Sequence, residues 1–393
     1  MPESIPHSDG ILINHQDKRL LDPAEREKRE SYLRDTIGLS QEKLDKLKER
    51  QPHLYSIESI TEKVDGLKKI GFTNPNKMID SFPQILGLAF DNIDTKISSL
   101  KDRGFTNPNK MIDSFPQILG HTFDNIDTKI SGLKDRGFTN PNKMIEISPQ
   151  ILGLAFDNID TKISGLKDRG FTNPNKMIEI SPQILNLTFD NIDSRISGLK
   201  DRGFTNPNKI IESFPTTLNY TFDNIDTKIS GLKDRGFTNP NKMIEISPQI
   251  LGYALDNIDI RINLLSKLNN LYQLNLNPIT TIESNLTILG TKFEKLVVIA
   301  RILRDYQPSP TDIQRKINSL YVINLESLLI SYSQRKSGDN IDNLTKTARQ
   351  IQKQKLSKDY KRQLIKDFFN QNTDSYKIYR EYLKGYPEKT QND

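Results

Sequence analysis

The chain has 393 residues, 35% hydrophobic and 27% charged, with 56 Lys and Arg against 50 Asp and Glu and neither Cys nor Trp. The lack of Cys excludes disulfides and thiolate metal sites. No apolar run reaches the roughly 18–20 residues that a spanning helix needs, so no membrane span is expected.

The first 37 residues (MPESIPHSDGILINHQDKRLLDPAEREKRE onward) lack the basic-then-apolar layout of a secretory signal. Glu3, Asp9 and Asp17 also argue against a transit peptide. Residues 1–37 read as a polar, partly disordered arm, and the expected location is cytoplasmic, in a bacterium or a host cell.

From Gly71 the chain repeats itself. Six segments starting at Gly71, Gly104, Gly137, Gly170, Gly203 and Gly236 are near copies of one 33-residue sequence, the third reading GFTNPNKMIEISPQILGLAFDNIDTKISGLKDR. A strict period of this length predicts a solenoid, in which each unit buries its apolar face on its neighbours. In the unit at Gly137, Thr139 or Asn140 is placed to cap a short helix that opens on Pro141. Ser148-Pro149 ends that helix, because the residue before proline is pushed out of the α region. Pro149-Gln150-Ile151-Leu152 predicts one tight 3₁₀ turn. Phe156, Ile159, Ile163 and Leu166 then give a second, longer helix an apolar stripe, and Gly170 stops it as a left-handed cap.

The array extends past its best copies. Residues 38–70 keep the opening Gly38 and the closing apolar helix, with Pro52 two residues beyond the turn proline's offset. Residues 276–303 keep the order Pro278, Glu283, Leu289, Gly290 after a short insertion, with Leu286 in place of the turn proline, and 309–329 read as a last half-unit. Degenerate ends suit a solenoid, whose terminal units must cover exposed apolar faces. In the C-terminal part, residues 311–393 hold 16 Lys and Arg against 10 Asp and Glu, whereas the preceding 310 residues hold 40 of each. Lys346, Arg349, Lys353, Lys355, Lys358, Arg362 and Lys366 fall at helical spacing and predict a basic helix, suited to nucleic acid or an acidic membrane surface, or simply solvated. Phe368, Phe369, Tyr376, Tyr379, Tyr382 and Tyr386 follow, as a cap on the solenoid or a stacking surface.

The repeat resembles the mitochondrial transcription termination factor (mTERF) family, whose units join a short helix, a Pro-x-x-Leu turn and a longer helix. The residues that carry the likeness are Pro83, Pro116, Pro149, Pro182, Pro215 and Pro248 with Leu86, Leu119, Leu152, Leu185, Leu218 and Leu251. The closing Leu100, Leu133, Leu166, Leu199 and Leu232, each followed by Gly-Phe four residues on, complete it. The resemblance covers residues 38–303; the near identity of the units and their neutral charge depart from the family's pattern. A weaker similarity is to TALE-type DNA-binding repeats. The likeness implies an all-α, curved superhelical solenoid of 33-residue helix-turn-helix repeats, followed by a basic helical region at 304–393. It also implies binding of double-stranded nucleic acid, with DNA favoured and RNA the alternative, by a monomer with a role in transcription regulation or termination.

Two sets of residues are candidates for that interface. Lys77, Lys110, Lys143, Lys176, Lys209 and Lys242 recur on the short helix, and Lys101/Arg103, Lys134/Arg136, Lys167/Arg169, Lys200/Arg202 and Lys233/Arg235 close the long one. Stacked, they would track phosphates; individually, they would balance aspartates and helix dipoles. Variation gathers at the end of the short helix and at the turn before the long one. There His121, Asn186, Asn219, Tyr220 and Tyr253 are residues able to bond to or stack on bases. The alternative is drift at a tolerant turn, with Thr122, Thr188 and Thr221 serving as helix caps.

The Phe-Asp-Asn-Ile-Asp box lacks the glycine-centred loop of a calcium site, and dipole complementation accounts for its carboxylates, so no metal is expected. The four histidines have no spaced partners, and no phosphate loop or nucleophile elbow occurs. No enzyme activity and no cofactor are expected. The rival to nucleic-acid binding is a protein-interaction scaffold, a host-directed effector among its forms.

Overall fold

The structure, a computed structural model, describes residues 23–50, 57–309, 312–335, 339–354 and 356–385. Residues 1–22 of the expected N-terminal arm, Pro52, Lys355 and Tyr386 lie outside the described residues, as does the side chain of Tyr382. The described residues form no strand. They are helix pairs repeated along the chain, an all-α repeat solenoid, and they fall into two compact units, one up to Leu187 and one from Thr188.

In the first unit the repeat at Gly137 has a short helix Pro141–Ile147, a 3₁₀ turn Pro149–Gly153 and a long helix Phe156–Asp168. Of the two capping residues offered by the sequence, Asn140 does the capping, its side chain accepting from the Lys143 N–H at 3.1 Å. Thr139 turns instead to the next repeat. The short helix stops at Ser148, where φ is −141°, as the following proline demands. Ile151 and Leu152 point inward from the turn and are buried with Met144, Ile145, Ile159 and Leu166. Gly170 adopts φ +83°, and Phe171 N–H closes on the Leu166 carbonyl at 3.2 Å. A side chain at that backbone angle would be strained, which is why glycine stands at the seam.

The same bonds recur one repeat apart. Asn109, Asn142 and Asn175 donate from Nδ2 to the carbonyls of Ile70, Arg103 and Arg136 at 3.0, 2.7 and 2.7 Å. Each satisfies a carbonyl that the long helix leaves open at its C-terminus. At the N-terminal end, helices Pro23–Ser31, Tyr32–Ile37 (a π-turn) and Gln41–Arg50 precede Ile57–Ile70, and Leu33, Ile37, Leu39, Leu44 and Leu47 are buried.

In the second unit the long helix Leu255–Tyr272 overruns its repeat and ends at Gln273 with φ 52°. The short helix Pro278–Ser284 and the turn Leu286–Gly290 then form without the turn proline. Asn285 caps the turn, accepting from the Thr287 N–H at 3.2 Å. The helix Phe293–Tyr306 follows, then Ile313–Tyr321 and Leu325–Ser333. The basic stretch is two helices rather than one, Ile341–Ile351 and Lys358–Gln371. Ser357 starts the second by capping Tyr360 N–H at 3.3 Å, since a serine's local backbone bond competes with helix continuation. The last helix, Thr373–Gly385, returns to pack on Phe293–Tyr306. It is held by Tyr379 to Glu294 at 2.8 Å, Arg301 to Asp374 at 3.1 Å and Tyr272 to Ser375 at 2.5 Å. Phe368 and Phe369 are buried there, and Tyr379 stacks on Phe369 with centroids 4.8 Å apart.

Candidate nucleic-acid interface

The short-helix lysines are all exposed: Lys77, Lys110, Lys143 and Lys176 in the first unit, Lys209 and Lys242 in the second. Each is the third residue of a helix opening on proline. Within a unit, successive short helices pack directly on one another, so their lysines recur as a row.

The carboxylates of the short helices are engaged: Asp80 accepts from Lys43 at 2.7 Å, and later ones bond a threonine one repeat back. Asp113, Glu146 and Glu179 each accept from the backbone N–H and the hydroxyl of a threonine in the preceding repeat, Thr73, Thr106 and Thr139, with hydroxyl distances of 2.8, 2.9 and 2.9 Å. In the second unit, Thr205 and Thr238 hold Glu245 and Glu283 at 2.7 and 2.8 Å. Burial opposes ionisation of Glu245, yet the bonds from Thr205 and Asn206 with the charge of Lys209 together outweigh it and keep the carboxyl below its usual range.

The long-helix ends separate into two behaviours. Lys101, Lys134 and Lys167, and Lys200 and Lys233 in the second unit, are exposed. The arginines two positions on are half-buried and engaged. Arg103 and Arg136 grip Asp127 and Asp160 of the next repeat through two bonds each, at 2.7 and 2.8 Å. They also donate to the Ser99 and Gly132 carbonyls at 3.1 and 3.0 Å. Arg202 and Arg235 do the same with Asp226 and Asp259, and Arg169 donates to the Gly165 carbonyl at 2.9 Å. The hydrogen bonds hold Asp127, Asp160 and Asp226 below the usual carboxylate range.

A further set of lysines does not stand out in the sequence pattern. Lys63, Lys96, Lys129 and Lys162, and Lys228 in the second unit, are buried or nearly so. Each donates to a main-chain carbonyl 25 residues ahead, those of Leu88, His121, Leu154, Leu187 and Tyr253. Lys129 and Arg136 also lie 4.3 and 4.2 Å from the Phe156 ring centroid, so this phenylalanine sits between two cations of the preceding long helix, over Gly132. A Cβ added at Gly132 would come within 2.2 Å of the ring. Burial pushes these lysines down from their ordinary value. The signal in the sequence is a lysine standing at i+3 from the core isoleucine, on the apolar stripe instead of opposite it.

The two variable segments meet in space. His121 lies against Phe115, with ring centroids 6.4 Å apart, and Tyr220 stacks on Phe214 at 6.3 Å. Burial, then the charges of Lys96 and Lys129, hold the His121 imidazole below its usual range, which keeps it neutral near pH 7. His121, Tyr220 and Tyr253 are half-buried, and Asn186 and Asn219 are exposed. The surroundings of the turn differ from repeat to repeat. A Cβ at Gly120 would lie 3.7 Å from Phe82, and one at Gly252 3.5 Å from Phe214 and 3.3 Å from the Tyr220 hydroxyl. Asn186 and Asn219 follow repeats with Ser148 and Ser181, but the repeat with Ser247 is followed by Gly290, and an added Cβ at Gly153, after Phe115, would meet nothing within 4 Å. Thr122, Thr188 and Thr221 do cap the long helices, accepting from Asn125, Asn191 and Asn224 N–H at 3.2 Å, while Ala89, Ala155 and Ala254 leave theirs without a side-chain cap.

Among the described residues no helix is long and apolar enough to cross a membrane. No group of three or more His, Asp or Glu among them is placed to hold a metal ion. A family model described as mTERF matches residues 15–136, 91–188 and 124–293, overlapping stretches that together take in more than half of the chain. No curated protein matches the chain significantly.

Proposed function

The chain belongs to the mTERF family, and on that premise we propose that it is a non-catalytic binder of double-stranded DNA acting in transcription regulation or termination. The observation that carries this reading is the division of labour among charges. Each repeat is neutral in sum, but the short-helix carboxylates are tied to threonines, or for Asp80 to Lys43, and one long-helix aspartate to an arginine, while the lysines of both helices stay exposed. The short-helix edge therefore presents Lys77, Lys110, Lys143 and Lys176 without an equally exposed carboxylate beside them. These lysines contact phosphates, with Lys101, Lys134, Lys167, Lys200 and Lys233 as a second row. The arginines hold repeat to repeat and set the spacing of both rows. His121, Tyr220 and Tyr253, with Asn186 and Asn219, stand at the turns as candidate base contacts.

The neutral sum of the repeats favours one rival, a protein-interaction scaffold, and salt separates the two. Removing a single phosphate-binding cation lowers the slope of log K against log salt by about 0.9. Duplex affinity of the full chain should fall steeply between low and moderate salt, and Lys→Gln changes at Lys77, Lys110, Lys143 and Lys176 should flatten the slope by about 3–4. No duplex binding at low salt would remove the DNA reading and leave the scaffold.

A further inference from the structure

Large apolar side chains stand exposed at one register of the array. Ile147, Ile180 and Ile246 are 41%, 45% and 66% exposed, each the last residue of a short helix. In the other three repeats the same position holds Ser81, Ser114 or Ser213. The helix bounds are the same with either residue, and the serine hydroxyls turn back on their own helix, to the carbonyls of Lys77, Met111 and Lys209 at 2.6, 2.9 and 2.7 Å. The fold accepts serine here where Phe82, Phe115 or Phe214 follows, and the isoleucines in its place keep 41–66% of their surface exposed. A single exposed isoleucine would need no explanation. Three at one register, always four residues beyond an exposed lysine, have a shared neighbourhood.

Residues four apart on a helix lie side by side, with Cβ atoms about 5–6 Å apart. Lys143 with Ile147, Lys176 with Ile180 and Lys242 with Ile246 therefore present a cation and an apolar group together. In a duplex whose phosphates are held by the lysines, the apolar feature of the base edges is the C5-methyl group of thymine in the major groove. We propose that Ile147, Ile180 and Ile246 are specificity-determining residues that contact thymine methyl groups, and that the serine repeats make no such demand. The inference rests on the DNA reading above and sharpens it: RNA, whose uracil lacks the methyl, is the poorer ligand.

The test uses the full chain with two duplexes, one of A·T pairs only and the same duplex with deoxyuridine in place of every thymidine. The two carry the same phosphates and the same hydrogen-bonding edges. A buried methyl contributes about fourfold in affinity, so two or three contacts predict about tenfold or more tighter binding to the thymidine duplex. The variant carrying I147S, I180S and I246S should bind both duplexes alike, at the affinity of the wild type for deoxyuridine; circular dichroism and a denaturant melt establish that it keeps its fold, and the same comparison with I147V, I180V and I246V, which retain a smaller apolar side chain, should show intermediate discrimination. Equal binding of both duplexes by the wild type, or a serine variant that still discriminates, overturns the methyl contact and leaves phosphate binding standing. Binding of neither duplex at low salt overturns both, and points to a protein partner for the isoleucines.

Discussion

At the scale of single residues, the repeat-to-repeat contact is a set of cations placed where an apolar pattern would put aliphatic side chains. Lys129 shows the arrangement at its fullest, with its ammonium on the Leu154 carbonyl and over the Phe156 ring. A charge this far from water is costly unless it is bonded, and the carbonyl with the ring face supplies that. Two repeats break the rule, with Arg195 and Arg261 at this position, and Arg195 departs furthest. Arg195 occupies the lysine position, lies 4.2 Å from the Phe222 ring, and leaves Nε and Nη1 buried without a hydrogen-bond partner. Burial, then repulsion from Arg202, pushes its guanidinium below the ordinary value. A lysine there would reach the carbonyl 25 residues ahead, that of Tyr220, as its counterparts do in other repeats. Arg195→Lys should therefore stabilise the protein by about 1 kcal/mol, the lower end of the penalty for a buried unsatisfied donor. A urea titration reads it directly: a higher midpoint at unchanged m is the expected result, and a lower one would show that the guanidinium's packing outweighs its missing bonds.

At the scale of the element, local chemistry wrote most of the repeat into the sequence. The proline at the first helical position, the Ser-Pro stop, the 3₁₀ turn and the glycine at the seam all depend on residues within a turn of where they act. Each was legible for that reason. The cap is the one case where the sequence offered two residues and the structure chose. Asn140 accepts from the third helical N–H, leaving Thr139 to bond the next repeat. Asn140→Ala should cost about 1 kcal/mol, while Thr139→Ala should cost its own share through Glu179, and the two losses should add, because the two side chains serve different partners. A double variant less destabilised than the sum would show them to be one network. What was not legible has a common cause. The partners of Arg136, Lys129, Asn142 and Thr139 lie 24, 25, 39 and 40 residues away, each in a neighbouring repeat. Helical periodicity reports which face is apolar and says nothing of a polar partner one repeat on. Phe156 was misplaced for the same reason: its position on the stripe suggested the core, and it instead fills the notch over Gly132. In the exposed rows the sequence placed lysine and arginine together, and only the structure separates the exposed lysines from the half-buried arginines.

At the scale of the molecule, repetition of these offsets means that a whole unit is an exchangeable part. Excising residues 104–136 would join Arg103 to Gly137. Arg103 would then meet Asp160 as Arg136 does now, Thr73 would meet Glu146, and Asn142 would reach the Ile70 carbonyl in place of Asn109. Phe82 would face Gly153 in place of Gly120, and a glycine stands at both positions. Every interaction across the new seam has a counterpart in the intact first unit, and stability should fall by the worth of one repeat and one interface, with the rest still helical and cooperative. The excision also removes Lys110 and Lys134, one from each exposed row. If both rows follow phosphates, the salt slope for duplex binding should decrease by about 1.8; if only the short-helix row does, by about 0.9. Circular dichroism and denaturant melts establish that the shortened chain folds, and the salt titration then counts the rows that touch the duplex. A folded chain whose slope does not change would take the lysines of that repeat out of the interface altogether.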